Sequence, residues 1–287
     1  MEEFVPHDPY TRAPSRKAPA GSCDCHFHIF ADPAKYPARQ DGSYQPPHAY
    51  ADDIKKMHAS LGIDRGVICQ ATIYGTDHRL MLDSLEAHPN WRGTAIIDNT
   101  ISDAELERMN AAGVRAARFN FARFLNIVPD EAVVRRTVDR ITQLGWHIKI
   151  FGDYEEILEH VPYLRSLNIP IVIDHLGRLD FTKGPEQPLL ALLESLLKNE
   201  NWWIMLSNGD RFSPGGAPYL DTVPLARKLF AAAPDRTIWS TDWPHVRYRR
   251  PMPNDADLLE LLYQYLPDEA DQHKVLVDNP ARLFGFK

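Results

Sequence analysis

The chain has 287 residues, 44% of them apolar and 25% charged, which suits one α/β barrel domain with a sizeable core and excludes collagen-like, coiled-coil and wholly disordered chains. Its 32 Lys and Arg against 39 Asp and Glu leave a formal net charge of −7, which argues against a protein built to grip nucleic acid while leaving room for a local basic pocket. Three cysteines (Cys23, Cys25 and Cys69) give no secreted disulfide framework.

The acidic start M-E-E-F-V-P-H-D lacks a signal peptide's apolar run, and no later stretch approaches the length of an apolar membrane span. The reading is a cytoplasmic protein without membrane or nucleic-acid partners, a monomer or homodimer. Residues 1–21 hold four prolines and no periodicity, so they form an irregular arm within a single domain spanning 1–287.

From Cys23 onward, short apolar runs alternate with helical patterns. Strands are expected over 23–30, 66–71, 94–97, 114–119, 146–151, 170–175, 202–207 and 237–242, with helices near 51–61, 77–88, 102–112, 130–144, 154–167, 186–198, 218–233 and 254–266. Ser102, with Glu105 three residues on, reads as a capping box, and Asp130 and Asp153 also precede helical patterns. Gly62, Gly113 and Gly145 stand where helix C-termini need a left-handed residue. A final helix is expected to close at Asn279-Pro280, with a short turn packing Leu283, Phe284 and Phe286 on the barrel.

A buried parallel sheet needs helices over its outer face, and closure removes its edges, so this alternation predicts a TIM barrel, (β/α)8. An open doubly wound sheet is the competing fold, but no Gly-rich nucleotide-binding loop follows any strand.

In such a barrel the chemistry gathers at the C-terminal strand ends. Period-two geometry places His26 and His28 on one face, with Cys25 and Phe27 toward the helices. Ile171, Ile173 and His175 share a face, so His175 emerges at the rim when the isoleucines fill the barrel. Asp242 ends the eighth strand, beside the first. These four groups fit two chemistries. They can ligate a zinc ion that acidifies a bound water, or the imidazoles can polarise a substrate carbonyl while Asp242 takes a proton from free water. Arg118, Arg123, Arg178 and Arg211 follow barrel strands and suit a multiply charged anion, with Tyr44 and Arg247 in rim loops. Lys149 and His147 share a face of the fifth strand without suggesting a carbamylated-lysine metal bridge.

The ordered motifs D-C-H-F-H, V-R-A-A-R-F-N-F, I-D-H-L-G-R and S-T-D-W-P-H resemble the amidohydrolase superfamily, within its amidohydrolase-2 branch of 2-pyrone-4,6-dicarboxylate lactonases and related lactone hydrolases, from about residue 22 to the C-terminus. The resemblance implies a hydrolase that opens a small carboxylated lactone, with Asp242 as general base, His26, His28 and His175 around the carbonyl, and Arg118, Arg123, Arg178 and Arg211 on the substrate's acid groups. It implies no obligatory cofactor in the pyrone-hydrolysing type and zinc in close relatives. The chain departs from the type where Phe151 replaces a tyrosine, and where Val246-Arg247 stand in place of an asparagine after W-P-H. Metal-assisted decarboxylation, lactone isomerisation and passive binding of an anionic metabolite are the other readings. Carbon dioxide release would mark the first of these.

Overall fold

The computed structural model describes residues 5–40, 42, 44–125 and 128–287. Eight parallel strands run in chain order around one sheet: β1 (Cys23–Phe27), β2 (Arg65–Cys69), β3 (Trp91–Ile96), β4 (Val114–Asn120), β5 (His147–Phe151), β6 (Ile171–Ile173), β7 (Trp202–Leu206) and β8 (Thr237–Trp239). The loop after β8 completes the ring. Asp242 N–H donates to His26 O at 3.0 Å, and His28 N–H donates to Trp243 O at 2.8 Å.

The surrounding helices are α1 (Ala51–Leu61), α2 (Arg79–Ala87), α3 (Asp103–Ala112), α4 (Glu131–Ile141), α5 (Tyr154–Leu164), α6 (Pro188–Leu197), α7 (Gly209–Phe212), α8 (Val223–Ala232) and α9 (Asp255–Tyr265), followed by α10 (Glu269–His273) and α11 (Asn279–Phe284). Ser102 caps α3 by accepting from Glu105 N–H, and Asp153 forms a capping box with Glu156 at α5. Asp130 occupies the cap position of α4 without a side-chain hydrogen bond. Gly62, Gly113 and Gly145 adopt φ of 82°, 109° and 69°, the left-handed values expected of them. Among the described residues, no helix is long and apolar enough to cross a membrane.

Three expectations need correction. First, β1 does not alternate strictly. Its pairing with β2 shifts between Asp24 and Phe27. Asp24 and Phe27 turn outward to meet His58 of α1, whereas Cys25 joins the barrel floor with Cys23, Val67, Val172 and Phe284. Second, Ile171 and Ile173 pack in the outer core with the helices, and Val172 points inward with the floor cluster. By the same alternation Asp174 points inward. His175 reaches the interior because its φ of 53° ends strand geometry. Third, Asn279-Pro280 does not close a helix: the helical run continues from α10 through a π-helical turn (Lys274–Asp278) into α11, and the Asn279 amide donates to the carbonyls of Pro234 and Thr237. Phe284 is fully buried in the floor as expected, which plugs the N-terminal end of the barrel.

Candidate active site

Beyond the strand ends the backbone leaves extended geometry repeatedly. His175, Arg178, Asn208, Asp242, His245 and Arg247 all have φ between 53° and 63°. Each left-handed non-glycine residue costs on the order of 1–2 kcal/mol, so six of them around one rim indicate side-chain placement maintained against local preference.

That placement converges on Asp242. Its Oδ1 lies 3.7 Å from His26 Nε2, 3.8 Å from His28 Nε2 and 3.9 Å from His175 Nε2. These separations exceed direct hydrogen bonds and leave room for an oxygen between the groups. The His26 ring lies 5.0 Å from that of His28 and 4.8 Å from that of His175, centroid to centroid. His26 is fully buried, and its Nε2 has no hydrogen-bond partner among the described residues.

The imidazoles are held from behind. His28 Nδ1 lies 2.7 Å from the Cys69 carbonyl oxygen. A carbonyl only accepts, so in neutral His28 the proton sits on Nδ1 and the Nε2 lone pair faces Asp242. His175 Nδ1 meets the Ser207 hydroxyl at 2.8 Å, and His26 Nδ1 meets Lys149 Nζ at 3.0 Å. Burial lowers the pKa of all three rings. That of His28 falls to about 3, with Arg118 adding to the effect, so the rings are neutral at ordinary pH. Burial raises the pKa of Asp242, opposed by the Arg211 guanidinium and His245.

A cavity of about 410 Å³ opens over this cluster, lined by His28, His175 and Asp242 together with Tyr44, Phe151 and several arginines. Arg118, Arg178, Arg211 and Arg247 all line it. Arg118 and Arg178 hold their guanidinium carbons 5.3 and 4.9 Å from the Phe151 ring centre, so one aromatic surface carries two cations. Arg211 Nη2 lies 3.5 Å from Asp242 Oδ2, and Arg247 stacks over Phe124. Arg123 is the exception. Its side chain is 64% exposed, pairs with Glu159 on α5 and does not line the cavity, because the turn after β4 carries it outside the barrel mouth.

Imidazole nitrogens and a carboxylate oxygen are also ligands for a divalent cation such as zinc. The ligand atoms of His26, His175 and Asp242 lie within 4.8 Å of one another, as do those of His26, His28 and Cys69. The donor set therefore fits such an ion.

An amidohydrolase family profile matches residues 23–286, nearly the whole barrel. The chain belongs to the amidohydrolase superfamily. Within it the chain falls in the amidohydrolase-2 branch, related to the 2-pyrone-4,6-dicarboxylate lactonases. It is 39% identical over 274 residues to a 4-sulfomuconolactone hydrolase of Hydrogenophaga intermedia, covering 93% of this chain and 89% of that one. It is 36% identical over 282 residues to a 2-pyrone-4,6-dicarboxylate hydrolase of Comamonas testosteroni, covering 94% and 92%. The crystal structure of an Agrobacterium tumefaciens protein in its apo state superposes with a TM-score of 0.85 at 30% identity, over 96% of this chain and 99% of that one.

Within this amidohydrolase site, three residues were not picked out as site groups from the sequence. Asp174 is 2% exposed and lies 3.2 Å from Arg118 Nη2 and 3.4 Å from Lys149 Nζ. Burial alone would raise its pKa, but the two cations outweigh that and hold it below the ordinary carboxylate value. Lys149 is fully buried within W-H-I-K-I-F, where a lysine between isoleucines is itself the signal of an internal partner. Arg249 also lines the cavity.

Proposed function

We propose that the protein hydrolyses a small lactone carrying acidic substituents, with water attacking the ring carbonyl and Asp242 acting as general base. The observation that carries this reading is the convergence of three imidazoles on one buried carboxylate, beneath a cavity walled by arginines. Two relatives named as hydrolases, of 4-sulfomuconolactone and of 2-pyrone-4,6-dicarboxylate, support the same class, while a third, 32% identical, is named as a D-galactarolactone isomerase.

The hydrogen bonds divide the labour among the histidines. Water has two protons to give, and Asp242 Oδ1 and the His28 Nε2 lone pair, 3.8 Å apart, accept one each. His28 therefore works on the water rather than donating to the carbonyl. As the water oxygen bonds to the carbonyl carbon, Asp242 takes its proton, and the carbonyl oxygen becomes an oxyanion beside His26 and His175. Collapse breaks the ring C–O bond, and the proton returns from Asp242 to the departing ring oxygen. Arg118, Arg178, Arg211 and Arg247 orient the acid groups, and Tyr44 closes one side.

The clustering of ligand atoms favours the metal-assisted form of this chemistry over free water. A divalent cation held by His26, His175 and Asp242 would supply Lewis-acid polarisation of the carbonyl and a more acidic water. The arginines would keep their role.

Purified protein assayed against carboxylated, sulfonated and neutral lactones tests the proposal. Ring opening to the free acid, selective for the anionic lactones, is the expected result. Carbon dioxide release, or conversion to an isomeric lactone without water uptake, would overturn it. Repeating the assay after chelation separates the two readings: unchanged turnover supports free water, whereas loss restored by zinc supports the cation.

A further inference from the structure

One charged group inside the barrel does not line the cavity. Lys149 lies below the histidines, fully buried on β5; its Nζ is 3.0 Å from His26 Nδ1, hydrogen-bonds the Cys25 carbonyl at 3.4 Å and forms an ion pair with Asp174 Oδ1 at 3.4 Å. Arg118 holds the other Asp174 oxygen at 3.2 Å. Keeping such a group away from water is costly, and aliphatic packing could fill the same volume. A function for Lys149 explains its presence better than stability does.

We infer that Lys149 is a positioning residue that fixes the proton of His26 on Nε2, toward the reacting carbonyl. Two protonation sites compete on His26. If Nδ1 carried the proton, its natural acceptor would be Asp174 Oδ1, but that oxygen is 3.7 Å away, and the N–H would point at an ammonium 3.0 Å distant. Two buried donors would then oppose each other. With Nδ1 accepting from Lys149 the two groups no longer oppose each other, and the Nε2 proton faces Asp242 Oδ1, 3.7 Å away at the foot of the cavity, where no described residue accepts it. The adjacent His28 is set the opposite way by the Cys69 carbonyl. One strand thus presents a donor and an acceptor side by side, the pair that a carbonyl and an attacking water require.

This inference rests on the proposed hydrolysis for its purpose, but its test is separate. Nitrogen-15 spectra of histidine-labelled full-length protein, with His26 assigned through His26→Gln, report which ring nitrogen carries the proton. Wild type should show His26 neutral and protonated at Nε2, and His28 neutral and protonated at Nδ1. Lys149→Met leaves Asp174 paired one to one with Arg118. It should move the His26 proton toward Nδ1 and lower kcat by about 10²-fold, the effect of losing one oxyanion donor, with KM changed less than about threefold. A wild-type His26 protonated at Nδ1, or bound through Nε2 to a stoichiometric metal ion, would overturn the inference whatever the variant does. So would Lys149→Met folding with wild-type kcat. If the spectra agree but no lactone is opened, the proposed function fails and the proton placement stands.

Discussion

At Asp242 the pKa is displaced upward by burial, and the neighbouring histidines are displaced downward. General base catalysis needs the carboxylate form, so kcat/KM should be low at acid pH and rise as Asp242 loses its proton, at a pH above the ordinary aspartate value. His26, His28 and His175 are already neutral there and add no second step at higher pH. A pH-rate profile whose acid limb lies at or below the usual aspartate range would contradict this assignment. Asp242→Asn should lower kcat by about 10²–10⁴-fold while thermal melting stays near wild type, because the amide fills the same space. Retained turnover in that variant would remove Asp242 from the role of base. Among the cations, Arg178→Met should raise KM for a carboxylated lactone by about 10-fold or more, as a charge-assisted hydrogen bond worth about 1.5–3 kcal/mol is lost, and leave a neutral lactone unaffected. Arg123→Ala should change neither, since its partner is Glu159 on the exterior. The sequence marks Arg123 and Arg178 alike as arginines after strands. Only the direction of the following turn separates them, and turn direction is not written in residue type.

At the scale of elements, the joint between β1 and the segment after β8 sets the site. Asp24 is fully buried and accepts from Thr241 Oγ1 at 2.5 Å, from Thr241 N–H at 3.1 Å and from His26 N–H at 3.2 Å, with His58 Nε2 on α1 at 3.2 Å. One carboxylate thus ties the strand carrying His26 to the segment carrying Asp242. Asp24→Ala would strand several buried donors at once and should destabilise the fold by about 3 kcal/mol or more, read as a lower denaturant midpoint. A midpoint unchanged from wild type would show that the joint is held elsewhere. The number, order and type of the elements were legible because apolar runs and helical periodicity report burial directly. The faces of β1 and β6 were not. A register shift in β1 exchanges the face of Cys25, and in β6 either Ile171 and Ile173 or Val172 and Asp174 could have faced inward by pattern alone. The polar Asp174 was the inward one, a choice made by Lys149 on the neighbouring β5 and Arg118 on β4, which no local window contains.

For the whole molecule, the formal charge of −7 and the arginine-lined cavity oppose each other. An anionic substrate meets a repelling surface and an attracting mouth, so binding depends on short-range contacts within the cavity. Those contacts are partly shielded from bulk ions, and kcat/KM for an anionic lactone should fall only modestly between low and physiological ionic strength. A steep decline would place the decisive charges on the outer surface instead. The same whole-molecule view explains why Phe284 in the floor matters: among the described residues it packs the end of the barrel opposite the cavity. The most direct test of the account follows the water itself. Ring opening of a carboxylated lactone in oxygen-18 water, analysed by mass spectrometry after a single turnover, should place one heavy oxygen in the carboxylate made from the ring carbonyl, and Asp242→Asn should lose that incorporation. Product without the label, or with the label on the alcohol carbon, would contradict attack of water at the carbonyl.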